Sequence, residues 1–255
     1  MEINRLALRD RAAIVTGSRG GIGRSIALSL AKAGADVAVC DIVVNDGGLK
    51  NTAACIKEIG RKSLSGQVDI SKKEDVDGFV TKVMDRFGRI DILVNNAGIM
   101  MRVSLLDLRE EDWDRMIAVN LKGYFLFSQA VAKNMVKVQR GCIINIGSSM
   151  GVKAGMERGA YSVSKAGVIM LTRLLAGELA LFKIRVNTIS PHLIKTELSK
   201  PIWSNPKELE SVMQGIPIGY AGEPSDVGNA AVFLASDTSK YITGQNIILD
   251  GGWLI

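Results

Sequence analysis

The chain carries one histidine, His192, and only three cysteines, Cys40, Cys55 and Cys142, in 255 residues. The cysteines lie far apart and form no CxxC pair, so they read as small buried thiols of a reducing compartment. A zinc site of the usual Cys/His kind has too few ligands to draw on, and no metal centre is expected. A Ser-His-Asp hydrolase would have to use the single histidine, and no GxSxG turn supports one. Aromatic residues make up 5% of the chain and do not interleave with basic ones. The net charge is +6, yet no block of five or more Lys/Arg appears. Nucleic acid is therefore not an expected partner, and the charge leaves only a bias toward anionic cofactors or substrates. No uncharged apolar run approaches about 18 residues, and MEINRLALRDRAAIVTG lacks the apolar core and cleavage site of a leader. A cytoplasmic protein with no membrane partner is the expectation.

What is present is a repeated alternation. Short β-branched runs such as AAIVT (12–16), DVAVC (36–40), IDILVNN (90–96), CIINIGS (142–148), KIRVNTIS (183–190) and QNIILDGG (245–252) are separated by longer amphipathic stretches. A further strand ends near Val68. Helices are expected over about 22–34, 48–60, 72–87, 112–138 and from AYSVSK to about 182. Several strands are near-continuous apolar runs, which marks a parallel sheet covered on both faces. Strands alternating with helices predict a doubly wound α/β fold of seven strands. A chain of this length buries roughly 70–75% of its unfolded surface without help from disulfides or metals. One domain over residues 1–255 is expected, with a mobile substrate loop at 192–222, where three of the five prolines fall.

Between the first strand and first helix sits TGSRGGIG, Thr16 to Gly23. Glycines there permit a tight turn and close backbone approach, and the helix that follows offers free N–H groups to a pyrophosphate. The spacing G-x-x-x-G-x-G differs from the usual dinucleotide fingerprint. It resembles the turn of the short-chain dehydrogenase/reductase family, and the resemblance extends over nearly the whole chain. NNAG (95–98) closes the fourth strand, and Asn120, Ser148, Tyr161 and Lys165 fall where that family has its catalytic tetrad. The C-terminal FLASDTSKYITGQNIILDGG is similar to the family's last helix and strand.

The resemblance implies a nicotinamide cofactor held by Gly17, Ser18, Arg19, Gly21, Ile22 and Gly23. Asp41, at the end of the second strand, would take the adenosine ribose hydroxyls and repel a 2′-phosphate, so NAD is expected rather than NADP. Arg19 argues the other way, but the position at which NADP-using relatives carry a basic residue is Gly20 here. Asp69 and Ile70 match positions that flank adenine, and Asn96 matches one on the adenosine side. Asp69 also reads as a carboxylate at a helix N-terminus, and the two roles are compatible. Ile194 and Thr196 match contacts to the carboxamide and pyrophosphate.

If AYSVSKA is helical, Tyr161 and Lys165 lie one turn apart on the same face. An unperturbed phenol, with pKa about 10, is a poor base at neutral pH, and a neighbouring ammonium favours its ionised form. Lys165 is thus expected to lower the Tyr161 pKa, and in the family that lysine also bonds the nicotinamide ribose. Ser148 would hold the substrate oxygen, with Ser149 an open alternative. Asn120 stands in the apolar helix IAVNLKGYFLF; in the family it distorts the helix and holds a water of a proton relay.

One departure stands out. The family's Pro-Gly after the sixth strand is Pro191-His192 here, and histidine tolerates the positive φ that glycine often serves. His192 reads either as a loop residue or as a substrate contact. Met150 and Arg102 are further candidate substrate contacts, with Met100, Val152 and Met156 as pocket walls. An arginine at 102 can bind a carboxylate bidentately or simply face solvent. NNAGIMMRVSLLDL resembles the sugar-acid dehydrogenases of the family. The expected activity is NAD-dependent interconversion of a secondary alcohol and a ketone on a sugar, sugar acid or polyol. The alternatives are a 3-oxoacyl-carrier-protein reductase using NADPH and a dehydrogenase of hydrophobic secondary alcohols. A sensor that kept the fold but lost the chemistry would have a damaged tetrad. Family relatives are commonly tetramers, so a homotetramer is expected.

Overall fold

The computed structural model describes residues 7–255; the first six residues of the N-terminal stretch considered above lie outside them. Seven strands form one parallel sheet: β1 (Ala12–Thr16), β2 (Asp36–Asp41), β3 (Ser63–Gln67), β4 (Ile92–Asn95), β5 (Gly141–Ile146), β6 (Ile184–Pro191) and β7 (Asn246–Leu249). Their spatial order is β3-β2-β1-β4-β5-β6-β7. The order reverses between β1 and β4, so the carboxyl ends of those two strands open a crevice where α/β sheets bind ligands.

The central strands are largely apolar because both faces are covered. On one face Ala13, Val15, Val37 and Val39 pack with Ile26, Leu30, Ile56 and Val227. On the other, Ile14, Ala38, Leu93 and Ile143 pack with Phe79, Phe127, Val131 and Val168. Burying each such side chain contributes roughly 1.5–3 kcal/mol. Helices α1 (Gly21–Lys32), α2 (Gly48–Glu58) and α9 (Pro224–Ala235) cover the first face. Helices α3 (Lys73–Phe87), α5 (Gly123–Val138) and α6 (Gly159–Leu179) cover the second. The edge strand β3 differs, with Ser63 buried and Gln67 exposed, as an edge facing water should. Cys40 and Cys142 are buried, and Cys55 is half-buried.

The long helix expected over 112–138 begins at Glu110 and is not regular. Helix α4 (Glu110–Ile117) runs into a π-turn over Ala118–Lys122, and α5 continues from Gly123. The widened turn is centred on Asn120, which is 0% exposed. A π-turn inserted in a helix is frequent at functional sites.

The 192–222 segment folds back on itself as α7 (Lys200–Trp203) and α8 (Pro206–Gln214). Leu193, Ile216 and Ala221 form its own small apolar cluster, joined by Trp203, Val212 and Trp253. It is tied at its base by Lys195 N–H donating to the Gly222 carbonyl at 2.9 Å, and Gly222 N–H to Leu193 at 3.0 Å. No helix among the described residues is long and apolar enough to cross a membrane.

Candidate active site

The glycine turn is built so that no side chain fits at two of its positions. Gly17 has φ +63°, and a Cβ there would lie 2.6 Å from the Ala97 Cα; one on Gly23 would lie 2.1 Å from the Gly17 carbonyl oxygen. The Asn96 amide fastens this packing by donating to the Thr16 and Gly17 carbonyls, each at 2.9 Å. Asn96 therefore acts here by shaping the turn. Ser18 is buried and donates to the Val15 carbonyl at 3.0 Å. Gly21 has φ +52°, and helix α1 opens with no side chain capping its first amides. Those free N–H groups beside a bare backbone fit the pyrophosphate of a dinucleotide. Ile22 packs into the core beneath.

The Asp41 carboxylate closes β2 beside the turn. It accepts from the Arg19 N–H at 3.3 Å and the Val43 N–H at 3.0 Å. The Arg19 guanidinium turns outward to an ion pair with Asp46. Asp69 accepts from Ser71 N–H and Oγ at 3.0 and 2.6 Å, which is the helix-entry role. Ile70 is buried, its side chain against Gly123. From the other side, Thr196 reaches the glycine turn, its Cγ2 3.4 Å from a Cβ built on Gly21. Ile194 is buried under it, and its carbonyl accepts from Ser199 Oγ at 2.6 Å. Between them a cleft of about 590 Å³ is lined by Gly21, Arg24, Lys195, Thr196, Lys200 and Trp203.

Tyr161 and Lys165 lie one turn apart near the start of α6, with Lys165 Nζ 5.8 Å from the phenol ring centre. Lys165 is 3% exposed and donates to the Ile146 carbonyl at 2.7 Å and the Tyr124 hydroxyl at 3.3 Å. Burial lowers its pKa to about 7. Tyr161 differs from the sequence expectation: burial holds its pKa above the ordinary value, while Ser148 and Arg158 pull it down. The phenol's own desolvation outweighs these two.

Ser148 Oγ accepts from the Met150 N–H at 3.1 Å, capping the short turn Ser149–Gly151. Ser149 Oγ is instead engaged with His192 Nδ1 at 2.8 Å. Of the two serines, only Ser148 bears on the phenol. Both ends of the Asn120 amide are occupied. Oδ1 accepts from Ile99 N–H at 2.8 Å, and Nδ2 donates to the Ile99 carbonyl at 2.9 Å and Ser164 Oγ at 3.1 Å. Its side chain pins the loop after NNAG to α6.

His192 does not take the positive φ anticipated for it; the non-glycine residues that do are Asp10, Gln139, Glu157 and Lys183. Its ring stacks on Trp253, centroids 4.2 Å apart and planes 14° from parallel. Nε2 is buried without a partner. Burial lowers the imidazole pKa to about 4, so the ring is neutral. Met150 is half-buried, its sulfur against Gly155. Arg102 is exposed at the rim and paired with Glu208 of α8.

A family model described as enoyl-(acyl carrier protein) reductase, one of the short-chain dehydrogenase/reductase models, matches residues 17–254. The chain belongs to the short-chain dehydrogenase/reductase family. It is 38% identical to the 3-oxoacyl-[acyl-carrier-protein] reductase FabG of Thermotoga maritima, over 98% of this chain and 100% of that protein. It is 39% identical to an NAD-dependent glycerol dehydrogenase of Listeria innocua (97% and 95%). A 2-dehydro-3-deoxy-D-gluconate 5-dehydrogenase of Escherichia coli is 37% identical (100% and 99%). A short-chain alcohol dehydrogenase structure from Sinorhizobium meliloti superposes with TM-score 0.94 at 37% identity, over 98% of both chains. A 2-deoxy-D-gluconate 3-dehydrogenase structure from Agrobacterium tumefaciens with bound NADP gives 0.89 at 34%, over 98% of this chain and 99% of that one. As a short-chain dehydrogenase/reductase, the chain is an oxidoreductase acting on CH–OH groups with NAD(P).

Sequence reasoning passed over several residues that this short-chain dehydrogenase/reductase places at the site. Tyr124 is fully buried, one turn beyond Asn120, and that spacing was a usable signal. Ser164 links Asn120 to the Tyr161 carbonyl, donating to it at 2.7 Å. Arg158 lies three residues before the tyrosine. Trp253 gave no local signal, because only the tertiary fold brings it to His192.

Proposed function

We propose that the enzyme is NAD-dependent and interconverts a secondary alcohol and a ketone on a sugar, sugar acid or polyol. The observation that carries the cofactor choice is Asp41. Its carboxylate is fixed by two backbone amides where the adenosine ribose would sit, and the one nearby guanidinium, Arg19, is neutralised by Asp46. A carboxylate so placed favours ribose hydroxyls and repels a 2′-phosphate. The glycine turn and the α1 amides would hold the pyrophosphate, with Ser18, Arg19, Ile22, Asn96, Thr196 and Ile194 shaping the cleft. Asp69 and Ile70 would border the adenine. When bound, the nicotinamide accepts or gives the hydride.

The chain's own residues manage the proton. Tyr161 takes it from the alcohol oxygen in oxidation and returns it in reduction, and Ser148 holds that oxygen beside the phenol. Lys165 is half-protonated near neutral pH, so it both favours phenolate as a cation and exchanges a proton itself. Asn120 keeps the loop beneath in register. Met150 and His192 line the substrate end, with Arg102 at its rim.

The test is absorbance at the NADH band over polyols, sugars, sugar acids and hydrophobic secondary alcohols, each with NAD and with NADP. Turnover of a polyol or sugar acid with NAD is expected. Asp41→Ala should raise the NADP-to-NAD ratio of kcat/KM by about tenfold or more, the scale of one lost hydrogen bond to a charged group. An unchanged ratio removes Asp41 from the account. The similarity to FabG favours a second reading, reduction of 3-oxoacyl thioesters with NADPH. Activity confined to those substrates and that cofactor would replace the first reading with the second.

A further inference from the structure

Arg158 is the one half-buried arginine whose guanidinium has no partner among the described residues. Arg86, Arg115 and Arg173 also lack one, but all three are exposed to solvent. Elsewhere the half-buried guanidinium of Arg61 meets Asp36 at 2.8 Å, and Arg11 meets Asp237 at 3.0 Å. A guanidinium held partly out of water without a counter-charge is unfavourable unless something completes it.

The backbone around Arg158 is held in an unusual way. Glu157, just before it, takes φ +56°, a conformation that non-glycine side chains rarely adopt. Val103 N–H donates to the Glu157 carbonyl at 2.8 Å, and Val103 pairs with Arg158 as an isolated parallel bridge. That bridge ties the segment carrying Arg102 to the segment carrying Arg158. Glu208, the acid whose charge acts most on Arg158, is already on Arg102. Arg158 also stands directly before α6, within charge range of both Tyr161 and His192. The free cation thus acts on both the phenol and the imidazole, beside an arginine that already carries one carboxylate.

We propose that Arg158, set beside Arg102 by the Val103 bridge and left without a counter-ion, binds a carboxylate of the substrate. The natural substrate is then a hydroxy or keto acid with a polyol chain rather than a neutral polyol. This rests on the reading of the site as an alcohol dehydrogenase. A planar guanidinium takes a carboxylate through two parallel N–H bonds, fixing the orientation of the carbon chain as well as its affinity. The hydroxyl to be oxidised would then be presented to Tyr161 by the far end of the molecule.

D-gluconate and D-sorbitol share a six-carbon polyol chain and differ in the carboxylate. Calorimetric titration of each into the enzyme saturated with NADH measures binding without turnover. The wild type should bind gluconate at least about tenfold tighter than sorbitol. Arg158→Gln should weaken gluconate about 10–100-fold, the scale of a charge-assisted pair, and leave sorbitol within about twofold. Arg158→Lys should restore part of the loss. Equal affinity of the wild type for both compounds would overturn the proposal, and so would equal weakening of both by Arg158→Gln. Oxidation of the two compounds with NAD is followed in parallel. Discrimination in binding with no oxidation of either defeats the proposed reaction alone; oxidation of sorbitol without discrimination defeats the carboxylate site alone.

Discussion

Lys165 and His192 are both bases that burial has made reluctant to take a proton, and they differ in what that does. Lys165 sits on the Ile146 carbonyl with pKa about 7, so its proton is available to a phenol one turn away. His192, with pKa about 4 against an ordinary 6.5, stays neutral through the working range. Its effect falls on stability. Between those two values the unfolded chain binds the proton that the folded ring refuses, so unfolding is favoured as pH falls from 6.5 toward 4. The thermal midpoint should therefore drop on acidification from pH 6 to 4.5, below the range in which Lys165 titrates, and His192→Gln should drop less. Parallel losses in the two proteins would show that another group sets the acid limb.

At the scale of elements, the site depends on close backbone contacts that a single methyl group tests. Gly23→Ala places a Cβ against the Gly17 carbonyl and the Asn96 amide, whereas a Cβ on Gly20 meets nothing within 4 Å. Gly23→Ala should cost about 1–3 kcal/mol of stability, the range for overpacking, and abolish NAD binding. Gly20→Ala should leave both nearly unchanged, and fluorescence titration with NAD together with thermal melts distinguishes them. The glycine turn was legible in the sequence because turn chemistry is local, as were the strands, whose apolar runs report burial on both faces. The π-turn at Asn120 was legible only as the distortion that the family resemblance implies, since no periodicity marks one inserted residue within an apolar helix. The Ser149–His192–Trp253 stack was not legible. Its members lie 43 and 61 positions apart, and a side chain that gains its meaning from a distant partner leaves no trace in its neighbours.

The whole molecule presents an apolar stripe that its own core does not use. Val163, Met170 and Leu174 share one face of α6 and are 48%, 52% and 58% exposed; Phe125 on α5 is 42% exposed. Positions seven and eleven apart lie on the same side of a helix, so these form a continuous surface. We propose that this face joins copies of the chain into the expected tetramer. Sedimentation velocity should give the mass of four chains for the wild type and a smaller species for Leu174→Glu; a monomeric wild type contradicts it. Helix α6 carries both the chemistry and this exposed face. Its inner face carries Tyr161 and Lys165 to the β5 carboxyl end, and its outer face is left free.

The most direct test of the account is Tyr161→Phe, which removes one oxygen and keeps the ring. Turnover is measured at the NADH band, and NAD affinity by quenching of protein fluorescence on the same sample. A loss in kcat of about 10²–10⁴-fold is expected, the scale of general acid–base catalysis, with NAD affinity nearly unchanged. Turnover close to that of the wild type would contradict it, because the proton would then be leaving the substrate by some route other than the phenol.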